Sequence, residues 1–568
     1  MKVAIVGFGP RGLACLENLV LASSQIAQSK RVTIVLFEPS EAIGTGKAWR
    51  LDQPETNYIN ISNRALLDLQ GRERIVWEGM EVPAFPSYAS WCLENDTIFD
   101  PDTDKDQFPP RSQMGTYLHH RAKSICKVLL AAQRATLVQQ EVKRLSYNPK
   151  TVTLYTQNER YTVDECLLTL GHLPTTNSDE TKKFKRHAKK EKPIYIHNPY
   201  QHTLAHEDLG VRNLFIKGFG LTMLDVMRQH TNYKFGKFQH KKGSHYLTFK
   251  AATGCIRKII PYSDDGLALI PKPYSKSIDA KFTPNKEQQN RFELNIRNHL
   301  SQPKQCNDAR FFTDAFATVA TEIYTAICQT NYTQEELQQV TVQLLEASST
   351  QHPSLLDTSL PVVTYIKKSI EMAMGQAEPT LDYTIGQVWR HLQPIMYRLF
   401  AFSGLPGKVI KAIVDIDEGT KRYSYGPPVK SMLQLLALEE AGIVDLRFVN
   451  DPEINCISRG WQLKTNDLTV TAGMLCNSVM EPPVLRQLDH PLITSLQEQG
   501  LVQEVYEGLG IATRPDGTAR APAHPDHRVP IAVLGRNAKG SVLGTDAILE
   551  CFSPETKDWA LGAAQAIH

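Results

Sequence analysis

Gly7-Phe8-Gly9-Pro10-Arg11-Gly12 sets three glycines at the spacing with which a strand turns into a helix around a diphosphate. Gly7 permits the tight turn, Gly9 lets backbone approach a pyrophosphate, and Gly12 lets the helix pack close to the strand. Pro10 and Arg11 complete this cofactor-binding turn at the helix start, where free N–H groups and the positive dipole end favour phosphate. Glu38 follows an apolar run, and there a carboxylate can accept both ribose hydroxyls of an adenosine. Its charge would repel a 2′-phosphate, which favours FAD or NAD over NADP at this site.

The flanking residues supply the elements such a turn needs. Val3 to Val6 reads as a buried parallel strand. Leu13, Leu16, Leu19 and Val20 then recur on one helical face, and Val32 to Phe37 reads as a second strand. The alternative is a Rossmann domain that has lost its ligand.

Further segments follow in a defined order. They are Gly44-Thr45-Gly46-Lys47-Ala48-Trp49, Asn57 to Asn60, Phe108-Pro109-Pro110-Arg111 with Gly115 to Leu118, and a strand ending in Gly171-His172-Leu173-Pro174. Next comes Lys217-Gly218-Phe219-Gly220-Leu221-Thr222 with Asp225, and near the end Ala532 to Gly535, Gly540 and Gly544 to Ile548. Together these resemble bacterial FAD/NAD(P)-binding proteins related to flavoprotein N-hydroxylating monooxygenases. The resemblance covers residues 1–225 and resumes near the C-terminus.

That resemblance implies FAD, with Gly46, Asn60, Arg111, Gly171, Gly535, Thr545 and Asp546 joining the first turn around it. It implies NADPH at Gly218 and Gly220. The implied activity is an NADPH-dependent monooxygenase in which dioxygen, as a flavin C4a-hydroperoxide, oxygenates a small-molecule nucleophile such as an amine. A flavin-binding reductase or a non-oxygenase redox module with a vestigial second site is the alternative. No catalytic acid or base is assigned.

Two local readings accompany it. Near Thr545-Asp546 a helix would start and point its dipole at the flavin; an ordinary strand-to-helix connection is the other reading. In the second fingerprint Met223 replaces the third glycine, and the basic pair Arg257-Lys258 suits an NADP 2′-phosphate, unless this is a structural domain with solvated charges.

Composition bounds the rest. The 568 residues carry 63 Lys+Arg against 60 Asp+Glu, with 42% hydrophobic and 22% charged. These are globular values, and a net charge of +3 argues against a dedicated nucleic-acid binder. The ten cysteines form no CxxC, and neither His119-His120 nor His524 with His527 has the spacing of a metal site. No apolar run approaches a membrane span and no signal peptide is evident, so a cytoplasmic protein is expected.

The expected fold class is α/β, with two Rossmann-like dinucleotide-binding domains and a mainly helical insertion. Residues 1–180 and 485–568 would form a discontinuous FAD domain. Residues 190–484 would form the NAD(P)H-like domain, with the insertion at about 280–410. Thr333 to Glu336 is a capping box, and Pro394 would kink or end the helix that starts at Asp382. The basic run Lys182 to Lys192 reads as an exposed face. Arg422 to Pro428 reads as a surface turn, with Arg422 and Tyr425 as candidates for holding a substrate carboxylate.

Overall fold

In a computed structural model, residues 1–26, 31–97, 99–149, 151–200, 213–232 and 234–566 are described. Lys2–Val6 forms the central strand of a five-stranded parallel sheet in the order Ile531–Val533, Glu165–Leu168, Lys2–Val6, Thr33–Phe37, Ala135–Val138. Val3 to Val6 are buried on both faces: Val3 and Ile5 pack in one cluster with helix Pro10–Gln25, and Ala4 and Val6 in another with the antiparallel strands Arg144–Asn148, Thr151–Tyr155 and Arg160–Val163. Val3 lies opposite Ile34 on one side and Glu165 on the other. The strand contributed by residues 531–533 shows that the two ends of the chain share one sheet.

Helix Pro10–Gln25 starts with Pro at its first position, where the missing N–H costs nothing. It buries Leu13, Leu16, Leu19 and Val20 in one cluster with Trp559, Ala560, Ala563 and Ala564 of helix Pro554–Gln565. Each large side chain so buried contributes about 1.5–3 kcal/mol.

A second parallel sheet runs Ile194–Ile196, Met474–Asn477, Asn213–Lys217, Lys258–Tyr262. Between its third-sequence and last-sequence strands lie helices from Lys286–Leu300 to Val429–Glu440. Thr333 caps helix Gln334–Glu346 with Glu336 closing the box, as expected. The run 182–192 falls almost wholly in helix Asp179–Glu191, which buries only Thr181 and Phe184.

Helix Leu381–Phe400 continues through Pro394, so of the two expected outcomes the helix does not end there. Val388, Trp389, Leu392 and Met396 are all buried in one cluster, and that packing offsets the lost hydrogen bond. Arg422 departs from expectation. It lies in the last turn of helix Gly407–Ser424, pairs with Asp265, and is not in an open turn. Among the described residues, no helix is long and apolar enough to cross a membrane.

Candidate functional site

The first sheet reverses its strand order at Lys2–Val6: the chain leaves toward Thr33–Phe37 on one side and returns at Glu165–Leu168 on the other. Ligands of open parallel sheets bind outside the carboxyl ends at such a point. Gly7 to Gly12, Glu38, Thr169 to His172 and Leu534-Gly535 all follow carboxyl ends of these strands.

The glycines are there for steric reasons. Gly7 has φ +91°, and a Cβ on it would meet the Thr169 carbonyl oxygen at 2.5 Å. A Cβ on Gly12 would collide with the Gly7 carbonyl oxygen, so this glycine permits the close helix–strand contact. A Cβ on Gly9 would sit 3.3 Å from the Gly46 Cα, which makes Gly9 and Gly46 facing walls of one narrow cradle. Gly171, at φ +63°, faces open space. Gly535, at φ +87°, is crossed by the Arg11 side chain.

Helix Pro10–Gln25 has Gly9 at its N-cap and no side-chain cap, so its first-turn N–H groups have no side-chain acceptor. Glu38 is buried and accepts N–H bonds from Phe8 at 3.0 Å and Ser40 at 3.1 Å. Burial pushes its carboxyl pKa up, opposed by those two bonds and by Lys47. A cradle that Cβ atoms would fill, an uncapped helix start and a carboxylate at the next strand end fit the diphosphate and ribose of a dinucleotide.

The carboxy-terminal segment contradicts one expectation. No helix starts at Thr545-Asp546; the backbone N–H groups of Asp546 and Ala547 donate to the Glu550 carboxylate at 2.5 and 2.8 Å, a single 3-10 turn follows at Leu549–Phe552, and the α-helix begins at Pro554. Thr545 instead offers its carbonyl to Arg11 at 3.4 Å. Asp546 pairs with Arg536 at 2.7 Å and Lys421 at 3.4 Å. Burial opposes the charge, but Arg536, Lys421 and Lys539 prevail and hold this carboxyl well below its usual range.

The second sheet carries Gly218 (φ +105°), whose Cβ would meet Ser478 Oγ at 2.7 Å. Gly220 caps helix Leu221–His230 without a side-chain bond. Lys258 overturns the expected 2′-phosphate site. It starts strand Lys258–Tyr262 opposite Asn213, at the amino edge of the sheet, and pairs with Asp445 at 3.5 Å. Four residues of strand, about 13 Å, separate it from the Gly218 end.

Asn60 and Arg111 lie together at a seam between the start of helix Leu221–His230 and Pro427-Pro428. Asn60 Nδ2 donates to the Tyr425 carbonyl at 2.9 Å, and its Oδ1 is buried without a partner. Lys272 donates to the Asn60 carbonyl. Arg111 pairs with Asp225 at 2.9 Å and lies against the Tyr200 ring. Asp225 also pairs with Arg228 at 2.5 Å and accepts from Tyr200 Oη at 2.7 Å. Sequence reasoning named Asp225 only within a motif and missed Arg228, whose place one helical turn later was the available signal.

These features define an α/β protein with a dinucleotide crevice. Residues 4–173 match the family of FAD-NAD(P)-binding proteins, so the amino-terminal segment is an FAD/NAD(P)-binding one. The chain is 26% identical over 242 residues to nitrosuccinic acid synthase of Aspergillus oryzae, covering 42% of this chain and 36% of that one. It is 25% identical over 267 residues to L-aspartate N-monooxygenase (nitrosuccinate-forming) of Streptomyces davaonensis, covering 42% and 40%. The matched segment thus spans well under half the length of these curated relatives. Among solved structures, FAD-bound OTEMO is similar at 11% identity and TM-score 0.44, covering 100% of this chain and 84% of that one.

Proposed function

We propose that the chain is an FAD-dependent, NADPH-dependent monooxygenase that oxygenates the nitrogen of a small amine. The observation that carries this reading is the cradle of Gly7, Gly9, Gly12 and Gly46 with Glu38 behind it, in a segment matching FAD-NAD(P)-binding proteins. The two curated relatives, by name a nitrosuccinic acid synthase and an L-aspartate N-monooxygenase, supply the reaction class and make L-aspartate the first substrate to test.

In this reading the first sheet with residues 1–180 and 485–568 is the FAD domain, and 190–484 is the NAD(P)H domain with its helical insertion. The uncapped start of helix Pro10–Gln25 holds the diphosphate and Glu38 the ribose. Bound flavin supplies the electron-transfer and oxygen chemistry. The chain itself binds, orients and excludes water. Asn60 and Arg111, with Gly171, Gly535, Thr545 and Asp546, border the cofactor, and Gly218 and Gly220 receive the nicotinamide nucleotide.

Purified protein tests this directly. Flavin absorbance near stoichiometric, and NADPH oxidation that rises on adding L-aspartate or another amine with little peroxide released, are expected. Protein that stays colourless after FAD reconstitution overturns the reading; NADPH oxidation indifferent to every amine leaves a reductase.

A further inference from the structure

Arg111 and Arg228 grip one carboxylate, Asp225, at a seam bordered by Tyr58, Asn60 and Ser431. The side chains are 18%, 6% and 2% exposed, so the seam holds two guanidiniums against one buried carboxylate. A third cation is at its edge: Lys430 Nζ lies 5.3 Å from the Tyr58 ring centre, and Arg228 lies 5.0 Å from the same ring. Lys430 is exposed and makes no ion pair among the described residues.

The donors are not exhausted. Arg111 uses Nε on the Tyr58 carbonyl and Nη2 on Asp225. Arg228 uses Nε on the Thr56 carbonyl, Nη1 on Ser431 Oγ and Nη2 on Asp225. A guanidinium has five N–H donors, so both keep donors in hand. Excess buried positive charge is costly unless an anion answers it. The unpartnered Asn60 Oδ1 at the same cavity is an acceptor, so it would meet a donor of the ligand and not its anionic oxygens.

We propose that this seam is a binding site for an anionic oxygen group, held by Arg228 and Arg111 and attracted by Lys430, with Asp225 keeping the two guanidiniums in place. Two ligands of the reaction carry such a group: the carboxylate of an amino-acid substrate and the 2′-phosphate of NADPH. Lys258 sits at the amino edge of the sheet, away from the Gly218 turn, so it is not placed for that phosphate. The inference rests on the proposed function only for the choice of these probes.

The test uses the full chain after FAD reconstitution, comparing wild type, Arg228→Gln, Arg228→Lys and Lys430→Gln. Calorimetry reads L-aspartate and inorganic phosphate binding, and steady-state oxidation reads the NADPH-over-NADH preference. Loss of ten-fold or more in L-aspartate affinity on Arg228→Gln, about three-fold on Lys430→Gln, and an unchanged nucleotide preference assign the substrate carboxylate. Collapse of the NADPH preference with L-aspartate binding intact assigns the phosphate. Wild type that binds neither L-aspartate nor phosphate and shows no NADPH preference overturns the site. So do variants that match wild type in all readouts. If Arg228→Gln fails to fold, the exposed Lys430→Gln alone decides, by the same readouts. Failure to load FAD would defeat the proposed function, while calorimetry on the unloaded chain still reads the anion site.

Discussion

The backbone N–H of Phe8 donates to Glu38 Oε2 at 3.0 Å, joining the turn after the first strand to the end of the second. Phe8 is fully buried, so this donor has no water to fall back on. Glu38 therefore has a structural duty besides any ribose contact. Glu38→Ala should lower the stability of the FAD-free protein by about 1–3 kcal/mol and weaken FAD further. Denaturant unfolding of the apoprotein with a parallel FAD titration checks both; an unchanged unfolding midpoint would show that the bond contributes nothing.

What was legible in the sequence follows from how local each signal is. The Gly7 to Gly12 turn and Glu38 were readable because strand, turn and helix lie within 40 residues and each glycine has a steric cause. The closing strand Ile531–Val533 was readable from its apolar run, although its partner is Glu165–Leu168. Lys258 misled because basic character says nothing about which end of a strand it occupies. Thr545-Asp546 looked like a helix start, but Glu550 takes the N–H groups of Asp546 and Ala547 from four and three residues away. Asp225 and Arg228 are one turn apart on a single helix, but Arg111 comes from another segment, and only the folded chain brings it to the same carboxylate.

Gly9 and Gly46 face each other with no room to spare. Gly9→Val should push the 44–46 segment away and fill the cradle, abolishing FAD loading while the sheet beneath stays folded. Absorbance of the purified variant measures this. Retained stoichiometric flavin would place the diphosphate elsewhere.

Asp279 accepts from Arg64 at 3.0 Å, from His391 at 3.2 Å and from Arg390, and Arg64 also holds Asp106 at 2.9 Å. This buried carboxylate ties the 64–106 loops to helix Leu381–Phe400. Burial opposes its charge, but Arg390, His391 and Arg64 hold the carboxyl far below its usual range. A depressed folded-state pKa stabilises above the unfolded value, about 3.9, and the contribution falls away as pH drops through the folded value. Asp279→Asn should cost about 3–5 kcal/mol at pH 7, and the gap to wild type should narrow below pH 4. A gap constant from pH 7 to pH 3 would remove the charge from the explanation.

Lys272 has the opposite signature. It donates to the Asn60 carbonyl, and burial pushes its ammonium down to about 7, with Arg390 adding to the shift while Asp279 and Asp106 oppose it. A lysine whose folded-state pKa lies below its unfolded value costs stability where it must be charged, and the cost disappears as the folded form loses its proton. Between about 7 and the unfolded value near 10.4 the unfolded chain binds more protons, so stability rises with pH across that window. Lys272→Met carries no such charge. Its melting temperature should exceed or equal that of wild type at pH 6, and the balance should move toward wild type by pH 9. Thermal melts of both proteins from pH 6 to pH 9 measure the crossing trend; parallel curves would mean that Lys272 keeps its charge throughout and that the wall behind Asn60 is wetter than its packing implies.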